Sequence, residues 1–197
     1  MKKLILVYQL AVFVIQVFPQ PKTNLQIIET LIEKSITSID SLFSKNTQRL
    51  YLEYISPPSY LILKSNVLTS LVNNGYELKS ESQEGISNVL YSISNVIVKY
   101  SESFKTGFFG SLITERTISL EGTVAVEKSN NLLPSKFTYS YRDTINVDEI
   151  SNVENDGIEF TKAPVPLPNI FSNLLEPIIV VGTLIVTIFL LFVVRSK

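Results

Sequence analysis

From residue 24 onward the apolar positions recur first at helical and then at strand spacing. Leu25, Ile28, Ile32, Ile36, Ile39 and Phe43 follow one another at intervals of three and four, with Ile27, Leu31 and Leu42 widening the stripe. That pattern predicts an amphipathic helix. Thr23-Asn-Leu-Gln26 fits a capping box in front of it, and Glu29 and Glu33 load its first half with the negative charge a helix dipole favours. Residues 48–55, QRLYLEYI, set Leu50, Leu52 and Tyr54 against Arg49, Tyr51 and Glu53, which reads as a strand. Ser56-Pro57-Pro58 ends it and opens a second helix. Its stripe is Tyr60, Leu63, Val67 and Leu71, widened by Leu68 and Val72, with Lys64 at the solvated edge. Asn73-Asn74-Gly75 predicts a left-handed stop, and a short strand follows over 76–80.

Beyond residue 88 the period becomes two. Val89, Tyr91 and Ile93 share one face, then Val96, Val98 and Tyr100, so the parity changes near Ser94-Asn95 and predicts a β-bulge. Residues 117–128 and 135–145 give two further strands, the second alternating Phe137, Tyr139 and Tyr141 against Thr138, Ser140 and Arg142. A long apolar loop, FKTGFFGSLITE, is expected before the first of these, and residues 129–134 between the two read as a hairpin connection. The sum is an α+β fold: one antiparallel or mixed sheet, with two helices packed on one face and a C-terminal transmembrane helix in addition. Over roughly residues 24–145 this order, with a helix ending at LVNNGYEL, resembles the layout of periplasmic α/β domains of bacterial secretion and synthase-activator lipoproteins. The lipid-bearing cysteine of those proteins is absent here, and the resemblance assigns no functional residue.

The two ends of the chain carry a different signal. Residues 178–194, IIVVGTLIVTIFLLFVV, contain no charge; seventeen residues at helical rise span roughly 26 Å, close to the hydrocarbon thickness of a bilayer. Arg195 and Lys197 follow and predict a cytoplasmic C-terminus. At the other end Lys2 and Lys3 precede an apolar stretch from Leu4 to Phe18, then Pro19 and Pro21, the layout of a secretory signal or an uncleaved signal-anchor. The expected organisation is a signal segment over 1–19, an extracytoplasmic domain over 20–162, and a proline-rich spacer with a juxtamembrane turn over 163–176. A membrane helix over 177–194 and a cytoplasmic tail over 195–197 complete it.

Composition narrows the chemistry. The 197 residues include no His, no Cys and no Trp. Histidine-based nucleophile systems, His- or Cys-ligated metals, disulfides and thiol redox chemistry are therefore excluded. The overall charge is −1, but Lys2, Lys3, Arg195 and Lys197 lie outside the exported part, which carries −5. With no basic run in it, nucleic acid is not an expected partner. No cofactor or metal is expected either.

Short matches to catalytic motifs lack their companions. Lys105-Thr106-Gly107 is the K-T-G of serine β-lactamases, yet no lysine here has a serine three residues before it. The stretch 152–157 imitates the start of a calcium loop, but its twelfth position is Ala163 rather than glutamate. The acidic segment containing Asp143, Asp148, Glu149, Glu154, Asp156 and Glu159 could in principle hold a carboxylate pair. It reads more simply as a solvated loop.

Three features bear on contacts. Phe104, Phe108 and Phe109 stand on a loop hinged by Gly107 and Gly110, and either fill the domain's own core or meet a partner or bilayer. Ala163 to Pro168 alternates three prolines, which favours a stiff extended spacer. Gly182 and Thr183 offer a small-residue patch for helix packing in a membrane. The expected function is that of a non-enzymatic, single-pass envelope protein whose exported domain binds or scaffolds another protein, with lipid met through the C-terminal helix. A ligand-binding or enzymatic ectodomain using residues 143–159 is the alternative, as is a structural subunit of a membrane secretion or assembly complex.

Overall fold

The computed structural model describes residues 20–39, 49–107, 110–128, 131–167 and 170–195. The expected signal segment, Leu42, Phe43, Phe108, Phe109 and Pro168 lie outside them. Six strands form one mixed sheet: β1 (Arg49–Ile55), β2 (Glu77–Lys79), β3 (Ser87–Tyr100), β4 (Phe104–Lys105), β5 (Leu112–Lys128) and β6 (Asn131–Asn146). Among the described residues four α-helices accompany them, α1 (Asn24–Ile39), α2 (Lys64–Asn73), α3 (Ile150–Val153) and α4 (Ile170–Arg195). β1 pairs in parallel with both β2 and β3, whereas β3, β5 and β6 are successive antiparallel neighbours and β4 pairs with the start of β5.

The local signals act as their chemistry requires. Thr23 and Gln26 cap α1 reciprocally: the Thr23 amide donates to Gln26 Oε1 (3.0 Å) and the Gln26 amide to Thr23 Oγ1 (3.2 Å). A 3₁₀ turn over Pro58–Leu63 leads into α2, which ends at Gly75 with φ +91°. The Gly75 and Tyr76 amides donate back to Val72 and Leu71, a Schellman closure that needs the left-handed residue. The register of β3 on β5 shifts between Ile93 and Asn95, where the parity change predicted a bulge.

One core results. Ile27, Ile28, Leu31, Ile32 and Ile36 of α1 and Val67 and Leu71 of α2 pack on the inward positions of the sheet, among them Leu50, Val89, Tyr91, Ile93, Ile118 and Leu120. Tyr54, Tyr91, Phe137 and Tyr139 cross the inner face as a chain of ring contacts with centroids 6.3, 5.4 and 6.0 Å apart. Gly122 makes this possible. A Cβ there would stand 2.2 Å from the Ser92 carbonyl oxygen and 2.4 Å from the Phe137 ring, so the absent side chain is the space through which Phe137 on β6 reaches Tyr91 on β3.

Several expectations are corrected. β5 begins at Leu112 rather than 117, because Phe104-Lys105 turns back and pairs with Ile113 and Leu112. β6 begins at Asn131 and includes Pro134 opposite Ala125, so residues 131–134 are strand rather than connection. Proline is tolerated there because no described strand pairs with the outer side of β6. Val72 is exposed and does not widen the buried stripe of α2. The acidic segment after β6 is not a plain loop: a 3₁₀ turn, α3 and a second 3₁₀ turn occupy 147–149, 150–153 and 159–161. Ile150 and Val153 of α3 pack with Ile145 against Tyr100.

Residues 170–176 are likewise not a separate turn. They belong to α4, a continuous helix of 26 residues with Pro177 inside it. Among the described residues no helix is long and apolar enough to cross a membrane. The side chains of α4 are described only from Pro177 to Val193, part of the uncharged run, and all of these are exposed.

Candidate functional site

At one end of the sheet the inward alternation of β5 continues from Leu120 and Ile118 to Arg116, and that of β6 from Tyr141 to Asp143. The two residues are register partners. Arg116 is 0% exposed, the largest side chain so buried among the described residues. Burial of a guanidinium is tolerable only where its donors and charge are matched, and here they are. Nε and Nη2 donate to the two oxygens of Asp143 at 2.9 and 2.6 Å, while Nη1 donates to the Lys22 carbonyl (2.9 Å) and to Asn24 Oδ1 (2.8 Å).

Asn24 carries the network onward. Also fully buried, it donates through Nδ2 to the Thr161 carbonyl (2.7 Å) and to the Tyr100 hydroxyl (2.9 Å). Burial pushes the Tyr100 hydroxyl up to about 12; the Asn24 hydrogen bond acts against this, and nearby Glu154 adds to it. Glu154 accepts from the Ala163 amide at 3.0 Å, and Thr161 Oγ1 donates to Ile158 (2.7 Å) and accepts from the Asn155 amide (3.1 Å). The network therefore fastens the chain where it enters the domain, at 22–24, to the chain where it leaves, at 161–163. Every hydrogen-bonding group of Arg116 that is described faces protein, so the cluster is built as a lock and offers no open anion site.

Residues singled out by their sequence pattern are distributed differently. Phe104 is 52% exposed, so it does not fill the core. Lys105-Thr106-Gly107 forms a turn closed by Thr106, whose amide and hydroxyl both donate to the Ser111 carbonyl (3.1 and 3.2 Å). The acidic residues do not converge on one point. Asp143 is held by Arg116, Glu154 by Ala163, and Asp156 and Glu159 lie 3.4 and 3.9 Å from Lys162 Nζ. Among the described residues no group of three or more carboxylates is placed to hold a metal ion. On α4, Thr183 and Thr187 return their hydroxyls to the carbonyls of Val180 and Thr183, and the position of Gly182 is open, with nothing packed on it.

Two other surfaces stand out. A polar groove of about 520 Å³ runs between α1 and α2, where Asn66 donates to Glu29 (2.8 Å). The outer edge of β6 pairs with no described strand over its 16 residues. Sequence reasoning passed over both the lock and this edge. The lock was marked by a charged residue at inward parity on each of two strands.

The fold so defined is an α+β sandwich with a mixed sheet. No protein-family model matches the chain, and no curated protein matches it. Among solved structures it is similar to rare lipoprotein B from Shewanella oneidensis, at 16% identity, with 50% of this chain and 70% of that one covered and a TM-score of 0.36. It is similar also to a minor lipoprotein from Acinetobacter baumannii, at 15% identity, with 58% and 80% covered and a TM-score of 0.37. Likeness at this level leaves function to be argued from the chain's own residues.

Proposed function

We propose that this is a single-pass envelope protein, anchored by α4, whose α+β domain is a non-enzymatic module that binds another protein along the free edge of β6. The anchor reading is supported by the uncharged run 178–194. Consecutive residues such as Ile178, Ile179, Val180 and Val181 are all exposed, so the helix is apolar on every side and unburied by its own chain. A helix of that kind is stable where lipid surrounds it. Arg195 at its end sets the C-terminus on the cytoplasmic side and the domain outside.

The observation that carries the binding reading is the outer edge of β6, which no described strand covers. A long edge strand presents main-chain donors and acceptors ready for a partner's strand. Lys136 and Arg142 on it disfavour indiscriminate pairing and would select an acidic partner strand, although Arg142 also lies 3.5 Å from Glu115. At about 3.3 Å per residue the far end of β5 lies roughly 40 Å along the strand from Arg116. The edge thus runs from the locked end outward. A photo-crosslinker placed at Thr138 or Ser140 in native membranes is expected to give a discrete adduct, and one placed at Thr69 on α2 is not. Equal labelling from both faces, or none from β6, would refute the edge as the binding surface.

A further inference from the structure

We propose that the locked end of the domain, through Phe104, Val165 and Leu167, rests in the interfacial layer of a zwitterionic bilayer; this rests on α4 being the membrane anchor. Three observations converge. The first is exposure: Phe104, Val165 and Leu167 are 52%, 55% and 86% exposed, Leu167 more than any other apolar side chain described in the domain. The second is attachment. Ser103 is buried and its hydroxyl donates to the Leu167 carbonyl at 3.3 Å, so the β3–β4 connection is fixed to the segment that runs into α4.

The third is length. The 26 residues of α4 extend about 39 Å, comparable to a bilayer of about 40–45 Å including its headgroups. Ile170 then stands at the outer headgroup boundary, and Leu167, three residues earlier, is at most about 11 Å from it. The lock around Arg116 keeps Asn24 and Thr161 at this same end, so the chain cannot swing the sheet away by loosening residues 161–163. The net acidic charge of the exported part opposes anionic lipid and favours a neutral headgroup surface, with Glu102 and Lys105 offsetting each other beside Phe104. Contact here orients the sheet with the β5–β6 hairpin pointing outward.

The absence of tryptophan makes the test direct. Full-length Phe104→Trp, Leu133→Trp and Phe189→Trp, each carrying a single tryptophan, are reconstituted into phosphatidylcholine vesicles with and without brominated acyl chains. Phe189→Trp is expected to be strongly quenched, Phe104→Trp to be blue-shifted and quenched at least twofold more than Leu133→Trp, and Leu133→Trp to emit as in water. If Phe189→Trp is quenched while Phe104→Trp matches Leu133→Trp, the resting contact is wrong and the anchor stands. If Phe189→Trp itself is not quenched, the anchor reading falls and this inference with it. Leu167→Trp serves as a second reporter should Phe104→Trp fold poorly, with the same two outcomes.

Discussion

Replacing Asp143 by asparagine leaves the shape of the lock intact and removes the carboxylate that pairs with Arg116. Arg116 has five N–H donors; four hydrogen bonds are made, two of them to Asp143. Breaking a buried ion pair from one side costs about 3–5 kcal/mol, because the remaining charge is buried without compensation. The Asp143 side chain is 24% exposed, so water can reach its position, and the low end of about 3 kcal/mol is expected. Arg116→Met strands Asn24 Oδ1 and should cost about the same, whereas the Lys22 carbonyl can turn to solvent. The double variant Arg116→Met/Asp143→Asn should cost at least about 1 kcal/mol less than the two single effects together. Urea unfolding of the full chain in detergent, followed by the near-ultraviolet dichroism of the buried tyrosines, measures all four corners. Additivity within about 0.5 kcal/mol, or an Asp143→Asn effect under about 1 kcal/mol, would refute the lock.

Two further outcomes follow from the core. Gly122→Ala places a methyl against the Ser92 carbonyl and the Phe137 ring, and should lower stability by about 1–3 kcal/mol in the same assay; an unchanged midpoint would contradict the packing described. Burial raises the hydroxyl pKa of Tyr91, and it raises that of Tyr100 to about 12. In the unfolded chain these groups ionise near pH 10, so the unfolded state loses protons first. The stability they contribute is full below about pH 10 and drains away as pH rises towards 12. Thermal midpoints should therefore fall above pH 10, and fall less steeply in Tyr91→Phe, which leaves Ser35 still bonded to the Ile32 carbonyl. Equal slopes in the two proteins would count against buried, neutral tyrosines.

Much of the scaffold was legible because its signals are local. The Thr23–Gln26 box, the Gly75 stop and the parity change at Ser94-Asn95 each need only a few neighbouring residues. What escaped depends on pairs distant along the chain. Arg116 meets Asp143, Asn24, Tyr100 and Thr161 only after the sheet has formed, and no spacing rule connects them. Parity alone held the clue, since Arg116 and Asp143 continue alternations that are otherwise apolar or aromatic. The start of β6 escaped because Asn131 to Pro134 has turn chemistry, which cross-strand pairing with β5 overrides. The start of β5 was hidden in an apolar stretch with no clean alternation, and only the return of β4 shows where pairing begins.

The proposed anchoring by α4 underlies both the proposed function and the proposed orientation of the domain. Alkaline carbonate extraction of membranes tests it most directly, comparing the full chain with one ending at Leu167, each exported from a cleavable signal in place of residues 1–19. With α4 as the anchor, the full chain stays in the membrane pellet and the shortened chain is released. Release of both would contradict it.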